Sequence, residues 1–152
     1  MRYSINWLKE LSETKWTTAE LVDNLTMRAF EVEKEEFDIP ESVIVGKILE
    51  IKKHPNADRL QLVKVDLGER VQEIVCGATN IQVGQLVPVA LLGTILPNGI
   101  EIKEAEIRGV KSSGMLCALD ELGLGKDHSG IIILDEKAQV GQKFQEYLEK
   151  NE

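Results

Sequence analysis

Positive charge is scarce in this chain. Its 152 residues hold 18 lysines and arginines against 26 aspartates and glutamates, a formal net charge of −8. The molecule as a whole therefore repels polyanions, and any nucleic-acid contact has to be confined to a local cationic face. Aromatics amount to 5% of the residues, and Tyr3, Trp7, Trp16 and Phe30 fall near the N-terminus, away from the strand-like sequence that follows. No pair of flat side chains is thus evident there on which bases could stack. Cysteine is limited to Cys76 and Cys117, far apart, without a Cys-x-x-Cys spacing and with no histidine nearby. That pattern argues against a metal site and predicts two reduced, buried core thiols. No stretch approaches the roughly 18 apolar residues of a membrane span. The opening MRYSINWLKELSE is charged too early for a secretory signal, so no membrane association is expected and the expected location is the cytoplasm.

What is present is a hydrophobic fraction of 43% with 29% charged residues, the balance of a folded soluble domain. Residues 1–39 and 40–152 read differently. After Ser4, a fitting N-cap, Ile5, Leu8 and Leu11 recur at helical spacing with Trp7 beside them. Thr17 or Thr18 starts a second helix carrying Leu21, Val22 and Leu25, and AFEVEKEEF alternates like a strand. This helix-helix-strand piece is too short to bury its own core and must cover a surface elsewhere, which predicts exposed apolar surface or self-association.

From Val43 onward the pattern becomes short strands separated by Gly, Pro and Asn turns. VIVGKILEI contains Gly46, where glycine marks a bulge or a sharp bend. RLQLVKVDL, VQEIVCG, LVPVALLG, IEIKEAEIRGV and GIIIL follow, and KFQEYLEK reads as a helical tail. Five or six strands with little helix between them predict a mainly β fold. A five-stranded OB-fold Greek-key barrel, with a small N-terminal α+β appendage and a short C-terminal helix, suits the count.

Two stretches carry candidate chemistry. KKHPNADRLQLVKVDLGE, Lys52 to Glu69, opens on a basic turn in a chain that is otherwise acidic; from Lys47 to Lys64, Lys47, Lys52, Lys53, Arg59 and Lys64 stand against Glu50 and Asp58 alone. His54, Pro55, Asn56 and Asp58 have the chemistry of a strand connector. On the rim of an OB barrel, the same loop would bring Lys52, Lys53, His54 and Arg59 to phosphates, which position a nucleic acid without reading its sequence. In the second stretch, RGVKSSGMLCALDELG, Gly109 and Gly114 bracket Lys111, Ser112 and Ser113. That loop either holds phosphate or sugar through amides, hydroxyls and a cation, or is a glycine turn closing the barrel over Met115, Leu116 and Cys117. GLGKDHSG lacks the P-loop spacing. No catalytic site is expected: the adjacent Asp120 and Glu121 point in different directions, and neither His54 with Asp58 nor His128 with Ser129 has a third member.

The ordered set MRYSINWLKEL, LTMRAFEVE, VIVGKILEIKKHPNADRLQLVKVDLGE, EIVCGATNIQVGQLVPVALLGTILPNG and IRGVKSSGMLCALDELGL resembles the N-terminal part of bacterial phenylalanine–tRNA ligase β subunits, including their tRNA-binding OB domain. The likeness runs along essentially the whole chain. It implies tRNA as partner, together with the remainder of the β subunit and the α subunit of an α2β2 enzyme. It implies no cofactor in this chain, since ATP and Mg act in parts of the holoenzyme outside these motifs. By position it implies Lys52, Lys53, His54, Asn56, Arg59, Asn80, Arg108, Lys111, Ser113 and Met115 as RNA-binding residues, with Glu104 and Glu106 subtracting from the cationic face. The competing expectations are a structural module that packs within a synthetase without touching RNA, and a free-standing tRNA-binding protein.

Overall fold

A computed structural model of the chain describes residues 4–28 and 38–151. The chain divides into two compact units, Met1–Glu36 with Leu148–Glu152, and Phe37–Tyr147. In the first, α1 (Ile5–Ser12) begins after Ser4, whose carbonyl accepts the Leu8 amide at 3.0 Å. It ends where Glu13 takes a left-handed conformation with φ 51. Helix α2 (Thr18–Arg28) is started by a reciprocal cap. The Glu20 carboxylate accepts the Thr17 amide at 2.8 Å and the Thr17 hydroxyl oxygen accepts the Glu20 amide at 3.3 Å. The bond from the Thr17 amide holds the Glu20 carboxyl below its ordinary value. Of the apolar residues expected on these helices, Leu21 is buried and Leu8 and Leu25 are half-buried. The side chains of Trp7 and Leu11, and the strand expected over AFEVEKEEF, lie outside the described residues.

The second unit is built on β1 (Val43–His54), β2 (Ala57–Asp66), β3 (Val71–Cys76), β4 (Leu86–Ala90) and β7 (Met115–Leu116), joined in one antiparallel sheet in the order β3-β2-β1-β4-β7. A separate hairpin pairs β5 (Ala105–Ile107) with β6 (Val110–Ser112). Strand β1 is long enough to serve two partners, β4 along Val43–Lys47 and β2 along Lys47–His54. Alternation puts Val43, Val45, Ile48, Val63, Val65, Ile74, Val87 and Val89 in the core with no exposed surface. The free edge of β3 is met by the chain leaving β6. Ser113 donates its amide to the Glu73 carbonyl, and the Ser112 hydroxyl accepts the Val75 amide, each at 3.1 Å. Those bonds bring the end of the sheet that carries β3 to the loop that leads into β7, curling the sheet toward a barrel and protecting an edge that would otherwise be open. Helix α3 (Phe144–Asn151) follows, with Phe144 and Tyr147 buried. Both cysteines are free thiols and buried, and burial pushes Cys117 up to about 12.

Three local expectations change. The bulge falls not at Gly46 but between Ile48 and Glu50, where Leu49 is the extra residue and is 43% exposed. IEIKEAEIRGV is not one strand, because left-handed Arg108 and Gly109 fold it back after three residues of β5. GIIIL touches the sheet only through single bridges, Ala118 with Ile131 and Leu86 with Leu134. The Asn80 side chain occupies both the amide and the carbonyl of Ile131, at 3.0 and 2.9 Å, so no further strand can pair with Ile131 on the side away from Ala118.

Candidate nucleic-acid interface

Strands β1 and β2 run past the core to the turn at His54–Ala57, and their alternation continues beyond it. Ile51 lies opposite the buried Val63, and Lys53 lies opposite Gln61, so Lys53 and Gln61 extend the core-facing side of the hairpin into open space. Ile51, Lys53, Arg59, Leu60, Gly77 and Thr79 are among the residues lining a groove of about 590 Å³ there. Among the described residues neither Lys53 nor Arg59 has an ion partner; both are exposed. Lys52 borders the same groove, but its ammonium is held by Glu50 at 2.9 Å, and Glu50 also takes Lys64 at 2.9 Å. The two lysines, Lys52 foremost, hold the Glu50 carboxyl below the usual carboxylate range, and Glu50 in return raises Lys64.

A second hairpin tip meets the first. The turn Arg108–Gly109 between β5 and β6 is held by two side chains of the β1–β2 turn: His54 Nε2 lies 2.9 Å from the Ile107 carbonyl, and Asn56 Nδ2 donates to the Arg108 carbonyl at 2.9 Å. His54 is buried at 5% exposure. Arg108 is exposed and has no ion partner among the described residues, whereas Lys111 on β6 is paired with Glu104 at 3.4 Å and stands opposite Glu106 in register.

The structure therefore gathers Lys53, His54, Asn56, Arg59 and Arg108 at one end of the sheet, with Lys52 on its border. The remaining expected residues make contacts within the domain. Asn80 pins Ile131, Ser113 bonds the β3 edge through its amide, Met115 pairs with Ala90 in the sheet, and Lys111 is engaged by acid.

The motifs that shape this end of the sheet span nearly the whole second unit. Residues 43–143 match the family described as "Putative tRNA binding domain". The chain belongs to the tRNA-binding domain family. Over 157 aligned residues it is 48% identical to the phenylalanine–tRNA ligase beta subunit of Chlorobaculum tepidum, and over 152 residues 45% identical to that of Nitratidesulfovibrio vulgaris. Each alignment takes in 98% of this chain but 19% of the relative, so the chain spans about a fifth of the length of the subunits it matches. Among solved structures, a MetRS-related protein from Pyrococcus horikoshii shares the fold, with a TM-score of 0.51 and 20% identity over 74% of this chain and 98% of that one.

Within this tRNA-binding domain, Ile51, Gln61, Gly77 and Thr79 line the groove although the motifs did not single them out. The signal was available for Gln61, which shares the parity of Val63 and Val65 along β2. Gly77 and Thr79 follow β3 and reach the groove only through the pairing of β3 with β2. Elsewhere in the domain, Asp120 Oδ1 meets His128 Nδ1 at 2.9 Å while the Glu121 carboxylate accepts the Ala118 amide at 2.7 Å, so the two adjacent acids are engaged in different directions. Among the described residues no group of three or more His, Cys, Asp or Glu side chains could hold a metal ion, and no helix is long and apolar enough to cross a membrane.

Proposed function

We propose that the domain holds tRNA by its phosphate backbone in the groove at the β1–β2 tip, with Lys53 and Arg59 as the contacting cations. The observation that supports this reading is the placement of two unpaired cations on the groove. Of the three cations lining the open groove, Glu50 holds Lys52, while Lys53 and Arg59 have no ion partner among the described residues, although Asp58 lines the same groove. Ile51 and Leu60 give the groove an apolar floor but no aromatic platform, so affinity rests on counterion release rather than on stacking. Such contacts set register and carry little sequence preference. Titration with tRNA at several salt concentrations tests the proposal. Log affinity is expected to fall linearly with log salt with a slope of about −1.4 to −1.8 from these two cations. Lys53→Glu combined with Arg59→Glu is expected to weaken binding at low salt by about tenfold or more. Binding that is absent at low salt, or indifferent to both substitutions, contradicts it.

We infer further that residues 40–152 act as the RNA-binding domain and residues 1–39 as an appendage to it. On this reading the chain is a non-catalytic part of a cytoplasmic synthetase. It binds no cofactor itself, and ATP and Mg act elsewhere in an assembly with the rest of the β subunit and the α subunit. The support is the alignment of 98% of the chain with 19% of ligase β subunits. Reconstitution with those parts, followed by an aminoacylation assay, tests it, and ligase activity from the isolated chain contradicts it.

A further inference from the structure

The groove does not account for the tip of β5–β6. With φ 50 at Arg108 and φ 86 at Gly109, both central residues of the two-residue turn between Ile107 and Val110 are left-handed. Such turns favour Asn, Asp and Gly, and a long cationic side chain at the first position is a conformationally costly choice. Strain of this kind persists where the surroundings impose it. Here the neighbouring tip does so. The Asn56 amide donates to His54 Nδ1 at 3.0 Å, which leaves the ring proton on Nε2 to be donated to the Ile107 carbonyl at 2.9 Å. Asn56 Nδ2 donates to the Arg108 carbonyl at 2.9 Å. Asn56 is of the residue type best suited to a left-handed turn, yet it is not itself left-handed and spends its side chain on the turn that holds Arg108. The clamp is closed on the backbone side, and the guanidinium has no acidic partner among the described residues.

We propose that Arg108 is a third phosphate-binding cation, and that Asn56, backed by buried His54, is a positioning residue that holds the Arg108 turn rather than a contact to RNA. The inference rests on the reading of the groove as the RNA site: a backbone lying along Lys53 and Arg59 passes the β1–β2 tip and meets Arg108 on the tip clamped to it. The ligand is a phosphodiester chain, and the specificity at Arg108 is for charge and spacing, not for base identity.

A double-mutant cycle on the 152-residue chain, read as tRNA affinity and salt slope with the thermal midpoint as control, tests the proposal. Arg108→Asn keeps a residue that accepts the left-handed turn and removes the charge. It is expected to weaken binding about three- to tenfold and to bring the salt slope about 1 closer to zero. Asn56→Ala is expected to lower affinity and slope in the same sense, and to add less than about twofold once Arg108 is Asn. His54→Ala is expected to act likewise; if it does not fold, Asn56→Ala carries the cycle. If Arg108→Asn leaves affinity and slope unchanged while Lys53→Glu with Arg59→Glu still weakens binding, the groove stands and this proposal falls. Additive effects of Asn56→Ala and Arg108→Asn overturn the positioning role. A wild-type chain that binds no tRNA overturns both readings.

Discussion

At the scale of single residues, Gly46 is where the barrel is most sensitive to one methyl group. It pairs regularly with Val87, and a Cβ placed on it would lie 2.5 Å from Val65 Cγ1, 2.8 Å from Val89 Cγ2 and 3.1 Å from Leu67 Cδ2. All three neighbours are buried, so none can swing into solvent. Gly46→Ala is expected to destabilise the fold by about 1–3 kcal/mol, the usual cost of overpacking a core. Urea denaturation checks this, with the midpoint falling and the slope unchanged; a midpoint within error of the parent contradicts it. The sequence announced that something special happens at this glycine but not what. The crowding side chains come from β2 and β4, and only the sheet order brings them to β1. Of the bulge or sharp bend expected there, the bulge belongs to Leu49, and nothing in the composition of VIVGKILEI distinguishes the two positions. The groove was half legible for the same reason. Lys53 and Arg59 stand out as cations beside a turn, whereas Gly77 and Thr79 arrive through the β2–β3 register.

At the scale of elements, the segment from Leu119 to Gly130 shows how a loop without regular structure is tied. Leu124 donates its amide to the Leu119 carbonyl at 2.9 Å, Gly123 is left-handed with φ 69, and His128 bonds Asp120 across the loop. The sequence excluded a P-loop here by its spacing, but it could not supply the His128–Asp120 pair, which depends on the chain turning back at Gly123. The hydrogen bond to Asp120, helped by its charge and that of Glu121, raises His128 above its ordinary value. A raised value means the folded loop favours the imidazolium. Its contribution is therefore complete below the unfolded histidine value near about 6.5 and is lost as pH rises through the folded one. Asp120→Asn is expected to bring the His128 titration, followed by NMR, down toward that ordinary value and to flatten the pH dependence of amide exchange in the loop. A His128 midpoint unmoved by Asp120→Asn contradicts the pairing. The strands read differently: their existence and order along the chain were plain from alternation, while the reduction of GIIIL to isolated bridges, with Asn80 covering the outer side of Ile131, was not, since it depends on which residues the fold brings beside it.

At the scale of the whole molecule, an acidic body approaches a polyanion only if its cations are released from its own glutamates. The sequence showed five cations between Lys47 and Lys64 without showing which are free, because that is decided across strands. Glu50 stands opposite Lys64 in register and two residues before Lys52, so one carboxylate occupies both. Glu104 engages Lys111 on β6 in the same way. Glu50→Gln with Glu104→Gln takes the net charge from −8 to −6 and frees three ammonium groups, Lys52 at the groove, Lys111 on β6 and Lys64 further along β2. Each one that reaches a phosphate adds about 0.7–0.9 to the magnitude of the salt slope. The expected outcome is tRNA affinity higher by about three- to tenfold at low ionic strength, converging on the parent at high salt as screening removes the gain. Glu69→Gln with Glu136→Gln makes the same change in net charge at exposed glutamates that hold no lysine among the described residues, and it separates release of local cations from a change in the overall field. A gain of equal size in both pairs of variants would assign the effect to the global field and remove the local pairing from the account of how this domain meets RNA.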